Sequence, residues 1–573
     1  MILVPGIRAL SCVLAVSLLV VAGCNFAPHY DRPKLDAGTK FKEAVPGDAK
    51  QEGWQVAEPK DAILRGNWWE LYNDPQLNDL EAKVAISNQT VIAAEANYRA
   101  AHAMVQQAQA ALFPTLSVDP AVTRTKSSAS VSSLGGVVSG GTTGTATTTT
   151  TTTTPTTPTG GATAATGSGT ASSNTKPRTI YSVPLEASYQ IDLWGAIRNN
   201  VAQNRYTAQA SAAQLAGALL STQTALAQDY FQLRIADELR RILDSTLEDF
   251  QANLHLVRTL FNNGLASDED IAQAETQLQS AMAQATDLGI TRAEFEHAIA
   301  VLIGLPPSQF SLPYQRFDQP LPPIPVGVPA DLIERRPDIA AAERQVEATN
   351  AGIGLARAAY FPTLTVSGSA GYESTSISQL FKWPNFFWSV GPDLAQTIFD
   401  GGLRRAATAQ ARALNDQAAA NYRQTVLSAL QSVEDNLVSL RILAQEIRQQ
   451  HAASVAAQRA VELSVVRFRN GVDSYVNVIT AQNAFLTARE AEVNVQLRQL
   501  TASVNLIDNL GGGWSDAQLS DSERMAMQGH ANDAATPVAG TQADTPNPPP
   551  LPPHEIKPEE ILKQDQDAIK PGK

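Results

Sequence analysis

The chain has 573 residues and a formal net charge of −13, which gives length for a large core and no basic surplus for holding nucleic acid. Its seven histidines form no ligand pairs at helical spacing, and neither a glycine-rich phosphate loop nor a nucleophile elbow occurs. No metal, no cofactor and no enzyme activity are therefore expected.

Residues 1–23 hold one charge, Arg8, beside an apolar run too short to cross a bilayer, and read as a signal peptide. The run ends Leu19-Val20-Val21-Ala22-Gly23-Cys24, which resembles a bacterial lipobox with Cys24 as the lipidated first residue. The only other cysteine, Cys12, lies in the segment to be removed, so no disulfide framework remains. No other stretch has the ~18 uninterrupted apolar residues of a spanning helix. Membrane attachment must come from a lipid on Cys24 or from strands. Residues 24–73 carry scattered prolines and read as an anchor segment, with Trp54, Trp68, Trp69 and Tyr72 packing it onto the folded body.

A first repeat spans 74–305. The pattern predicts a helix over 75–113, then a strand with Leu116, Val118, Pro120 and Val122 on one face. Residues 127–175 contain no charge and are Ser, Thr, Gly and Ala, a composition that cannot bury a core. The next strand alternates strictly: Tyr181, Val183, Leu185, Ala187, Tyr189 and Ile191 against Ser182, Pro184, Glu186, Ser188, Gln190 and Asp192. Asp192-Leu193-Trp194-Gly195 marks the return into a helix over about 196–261, roughly 100 Å long at 1.5 Å per residue. Asn263-Gly264 stops it, and a helix over 266–303 returns.

A Pro-rich linker, 306–336, leads to a second repeat over 337–510. Pro337 opens its first helix, next to an Arg335, Arg336 and Asp338 ion-pair cluster. Strands follow from Leu364 to Tyr372 and from Phe386 to Ile398; then come a long helix over 403–468, the stop Asn470-Gly471, and a return helix over 474–509. The copies align directly. Ala111–Val118 matches Ala359–Val366 at an offset of 248, and Phe261–Ser267 matches Phe468–Ser474 at 207. The difference of 41 residues is the Thr-rich insertion. Each repeat is thus one full-length helix beside two stacked half-length ones. Residues 511–573 are acidic and Pro-rich and read as a disordered tail.

Four strands cannot close a barrel, and an open edge is not tolerated in lipid, so the strands either belong to a barrel shared between chains or rest on a soluble core. Two chains would leave an interior filled by side chains, and three would leave room for a lumen.

Arg335-Arg336-Pro337-Asp338-Ile339, followed by Ala358-Ala359-Tyr360-Phe361-Pro362, resembles the signature of the TolC/OprM-type outer membrane factors. Trp68–Leu77 resembles their mature N-terminal motif, and the likeness covers roughly residues 24 to 514. The resemblance implies a mixed α and β membrane protein. A homotrimer would form a 12-strand β-barrel continued by a 12-helix α-barrel through the periplasm, and the Thr-rich loop would be extracellular, as filler or as a shield. It implies the channel of a tripartite efflux pump, working with a periplasmic membrane-fusion adaptor and an inner-membrane transporter. It puts adaptor docking at the tips Asn263, Gly264, Leu265 and Asn470, Gly471, Val472, and the pore constriction at Val476, Asn477 and Thr480. Family members commonly carry aspartate near there; Asn477 and Thr480 replace it, and Asp268, Glu269 and Asp270 are either nearby charge or simply helix-start acids. The same channel could pass secreted protein or metal ions. A non-conducting structural lipoprotein would explain the rods and Cys24, but not the alternating strands.

Overall fold

The computed structural model describes residues 25–34, 41–42, 67–126, 177–317, 322, 335–512 and 514. The signal peptide, Cys24, Trp54, the Thr-rich 127–175, most of the linker from 318 to 334 and nearly all of the tail lie outside the described residues.

The elements, in order, are α1 (Pro75–Ser87), α2 (Gln89–Ala110), β1 (Thr115–Val118), β2 (Ala121–Thr125), β3 (Arg178–Ile191), α3 (Ala196–Asn262) and α4 (Asp268–Leu302). The second copy gives α5 (Pro337–Ala358), β4 (Thr363–Ser374), β5 (Phe386–Ala395), α6 (Leu403–Arg469) and α7 (Tyr475–Asn509). The duplication is metrical. Helices α2 and α5 both have 22 residues, α4 and α7 both 35, and α3 and α6 both 67.

The half-length helices meet end to end in both copies. Asn88 Nδ2 donates to Leu302 O at 2.7 Å, joining the start of α2 to the end of α4. Arg336 Nη1 donates to Asn509 O and Oδ1, each at 2.9 Å, joining α5 to α7, and its other nitrogens pair with Asp338. Both joins demand glycine. A Cβ on Gly304 (φ +73°) would lie 2.3 Å from Ser87 O, and one on Gly511 (φ +95°) 2.0 Å from Arg335 O. A left-handed backbone and a close approach coincide, and only glycine tolerates both.

The join also corrects the helix expected over 75–113. Asn88 adopts extended backbone and its side chain accepts from Thr90 N and Val91 N, so it ends α1 and caps α2. The 3.6 period runs through the break because neither cap nor join changes the apolar spacing. Likewise the first strand is two segments. Asp119-Pro120 interrupts it, since proline has no N–H for the ladder, yet β1 and β2 pair with β3 in one register. The last strand ends at Ala395, short of Ile398.

The strands form one antiparallel sheet in the order β1/β2, β3, β4, β5. The helices stand in a row: α2 with α4, then α3, then α5 with α7, then α6. The main core lies at mid-length, where Trp68, Tyr72, Leu77 and Leu80 pack on Tyr230, Phe231, Leu506 and Ile507. Buried Arg234 and Arg292 share Asp237, at 2.9 and 2.8 Å. They also hold Pro313 O and Leu312 O, so the chain leaving α4 is clamped against α3.

Candidate functional site

Directly opposed residues of antiparallel strands share a face. The observed register therefore sorts every sheet residue. One face carries Leu116, Val118 and Val122 of β1/β2, Leu185 and Tyr189 of β3, Val366 and Tyr372 of β4, and Trp388, Val390 and Leu394 of β5. Most of these large side chains are exposed: Trp388 is 69% and Val390 68% accessible, far more than a packed sheet would leave. The other face carries Ser117, Glu186, Ser369 and Ser389 in one row, Gln190, Thr365 and Asp393 in another, and Ser182 beside Glu373. The sheet is thus apolar on one side and polar and acidic on the other. Both of its edges, β1/β2 and β5, pair on one side only among the described residues.

Each strand pair passes directly into a long helix through a matched turn. Asp192 accepts from Ile197 N and Arg198 N, and Asp400 from Gly402 N and Arg404 N. At this junction Phe361 stacks between Phe26 and Trp194, with centroids 4.4 and 4.9 Å away. Trp194 Nε1 donates to Pro362 O at 2.7 Å. From Phe26 the N-terminal segment runs along α5. Arg357 Nη1 donates to Phe26 O, Asn350 Nδ2 to Pro28 O, and Tyr30 and Arg32 bond Glu343.

The far tip has its own core. Phe250, Leu254 and Val257 of α3, Ala274 and Leu278 of α4, Phe468 of α6, and Tyr475 and Val478 of α7 cluster there. Both turns are tight. Gly264 (φ +72°) and Gly471 (φ +68°) take left-handed backbone, with Leu265 N donating to Leu260 O and Val472 N to Arg467 O. Asn263 and Asn470 cap the preceding helices through Thr259 O and Val466 O. Leu265 and Val472 stand exposed at the extreme end. The starts of α4 and α7 are neighbours, since Tyr475 and Val478 share the tip cluster with Ala274 and Leu278; burial pushes the Tyr475 hydroxyl up to about 12, and the charge of Asp270 adds to it.

Val476, Asn477 and Thr480 lie together on the exposed face of α7, opposite buried Tyr475 and Val478. Thr480 Oγ1 donates to Val476 O at 2.8 Å, and Asn477 Nδ2 to Asp473 Oδ1. Asp473 also accepts from Arg467 Nε at 3.1 Å, so the one acid of this turn is neutralised locally. In the first copy the positions of Val476 and Thr480 are taken by Glu269 and Gln273, which bond each other at 3.1 Å. Asp270 closes a capping box with Ser267. Asp268 and Glu269 stand in the same first turn. Sequence reasoning missed a pairing two turns further in. Gln277 of α4 and Asn483 of α7 bond amide to amide. No motif announces it, because the two residues are 206 apart and occupy non-equivalent places in the repeats.

A family model described as outer membrane efflux protein matches residues 82–305 and 328–512. The chain belongs to that family. Among its relatives is the probable efflux pump outer membrane protein TtgC of Pseudomonas putida, 27% identical over 87% of this chain and 95% of the relative. The pyoverdine export outer membrane protein OpmQ of Pseudomonas aeruginosa is 29% identical over 90% and 98%. The outer membrane channel CmeC of Campylobacter jejuni superposes with a TM-score of 0.74 at 21% identity, covering 88% of this chain and 98% of that one, and shares the fold. As an outer membrane efflux protein, the chain is a channel component and not an enzyme. Its place is the outer membrane, with its helices in the periplasm.

Proposed function

We propose that three copies of the chain close one β-barrel in the outer membrane and one α-barrel beneath it, and that the lumen passively conducts small molecules outward. The observation that carries this reading is the two-faced sheet with open edges. At about 3.4 Å per residue, the 12 residues of β4 reach about 40 Å. Tilted by about 40°, they cover about 30 Å of membrane normal, the thickness of the hydrocarbon. The apolar face then meets lipid and the polar face lines water. Edge pairing between copies satisfies the free ladder groups that lipid would not. The helices agree: α3, inside the row, buries 26 of its residues, while α6 of equal length, at the row's end, buries 11. Its free flank fits the α2/α4 flank of a neighbouring copy.

In this reading the exposed tips at Asn263, Gly264, Leu265 and Asn470, Gly471, Val472 receive a periplasmic adaptor, which links the tube to an inner-membrane transporter. The transporter supplies the driving force. Val476, Asn477 and Thr480 narrow the lumen. Cys24 carries the lipid, and the course of Phe26 to Arg32 along α5 supports an anchor at the inner rim of the barrel. Relatives named for solvent efflux and for pyoverdine export favour small-molecule cargo over protein.

Single-channel conductance in planar bilayers tests the reading. Discrete steps are expected, small for the native chain and larger for Asn477→Gly with Thr480→Gly. Folded, trimeric protein that conducts in neither form, even with adaptor present, would return the chain to a structural role.

A further inference from the structure

The charges of the sheet are segregated by face. Its carboxylates, Glu186, Glu373 and Asp393, all fall on the polar face, paired in register with Ser117, Ser182 and Thr365. Arg124 does not. It pairs with Thr179 and shares the side of Val122 and Tyr181, one step beyond the apolar band at the end of the sheet away from the helices. Lys126, the next residue of that parity, follows directly past the end of β2. Both are exposed.

The register also places the loop that carries a third cation at this end of the sheet. Tyr181 pairs with Val122 on one side and Ser374 on the other. Two residues further out, the level of Arg124 is that at which β4 gives way to the loop before β5. That loop carries exposed Lys382 between two exposed rings, Phe381 (71%) and Trp383 (77%). Phe381 packs edge-on against Tyr372 at 5.6 Å, and Trp383 stacks on Phe386 at 5.3 Å. Tyr372 and Phe386 oppose each other on the apolar face, so the loop's rings extend that face outward. Arg178 alone of the described rim cations sits on the polar side, opposite Thr125.

Cations just past an apolar band, beside a belt of aromatic rings, match an anionic head group and not water alone. Exposed cations along one rim, with no described acid on their own face, draw an anion from their surroundings. We propose that Arg124, Lys126 and Lys382 form an outer-rim site for the phosphates of a phosphorylated glycolipid in the outward-facing leaflet, with Phe381 and Trp383 seated among its acyl chains. The lipid is favoured over a soluble anion because the cations are continuous with the exposed apolar face. The site rests on the reading that this face meets lipid.

The test uses the full-length protein, native and with Arg124→Gln, Lys126→Gln and Lys382→Gln combined, mixed in detergent with bisphosphorylated lipid A and examined by native mass spectrometry. Dephosphorylated glycolipid, phosphatidylglycerol and inorganic phosphate are the comparison probes. The native protein is expected to retain the bisphosphorylated lipid and the triple variant to fall to background, with the charge-keeping Arg124→Lys, Lys126→Arg, Lys382→Arg variant retaining it. Equal retention by the triple variant, or of the dephosphorylated glycolipid, overturns the site. Equal retention of phosphatidylglycerol overturns the glycolipid assignment, and displacement by inorganic phosphate overturns the lipid one. Conductance of the same samples separates this from the channel reading: native and triple-variant channels of equal conductance leave the channel intact whichever way the lipid result falls.

Discussion

Gln277 and Asn483 face each other across the two returning helices: Gln277 Nε2 donates to Asn483 Oδ1, and Asn483 Nδ2 donates back to Gln277 Oε1 at 3.4 Å. The pair clasps α4 to α7 about three turns from the tip, further in than Val476 and Thr480 on the exposed face of α7. A typical intramolecular hydrogen bond contributes about 0.5–1.5 kcal/mol, and an exposed one falls toward the low end. Gln277→Ala should therefore shift a closed-to-open tip equilibrium several-fold toward open, seen as more frequent large steps in single-channel recordings. Unchanged recordings would show that the clasp holds helices and not the gate.

Glu81 is fully buried in the mid-length core with neither carboxylate oxygen bonded. Burial pushes its carboxyl up to about 9, so it is neutral in the folded chain and charged in the unfolded one at neutral pH. The folded state then binds one proton more between the ordinary carboxylate range and about 9. Its stabilising share, complete at acid pH, declines through that window by about 1.4 kcal/mol per pH unit. Glu81→Gln should flatten the fall in melting temperature between pH 6 and pH 9 measured in parallel with the native protein.

Gly304→Ala should be costly. The backbone is left-handed and the new methyl would sit 2.3 Å from Ser87 O, so the α2–α4 join must open. A loss of about 2–4 kcal/mol is expected, from strain and from the Asn88 bond to Leu302 O. Gly264→Ala, with left-handed backbone but nothing within 4 Å, should cost only the conformational part, about 1 kcal/mol. Comparing the two by denaturant unfolding separates crowding from backbone.

Asp237→Ala should destabilise more than removal of an exposed pair. It leaves Arg234 and Arg292, both nearly inaccessible, without their shared carboxylate. Breaking a buried pair costs about 3–5 kcal/mol, against about 1 kcal/mol or less for a pair such as Arg258 with Glu275. Proteolysis should cut first in the segment after α4 that Arg234 and Arg292 hold. Equal stability of the two variants would contradict the clamp.

Periodicity and repetition by themselves determined much of this protein. The repeat offsets gave the duplication, the Asn-Gly stops gave the ends of the long helices to within a residue or two, and the alternation from Tyr181 to Ile191 gave a strand with two chemically distinct faces. These are local properties, written in neighbouring side chains that share one element. Tertiary structure decided the rest. It broke the helix at Asn88, because the end of α4 needs a donor there, and required Gly304 and Gly511 to let helix ends touch. It paired Gln277 with Asn483 and Arg234 with Arg292 around Asp237. It set Arg124 level with the loop that carries Lys382. Each of these depends on which segments distant in the chain come within a few ångströms, and that is fixed by packing and strand register, which no spacing along the chain encodes.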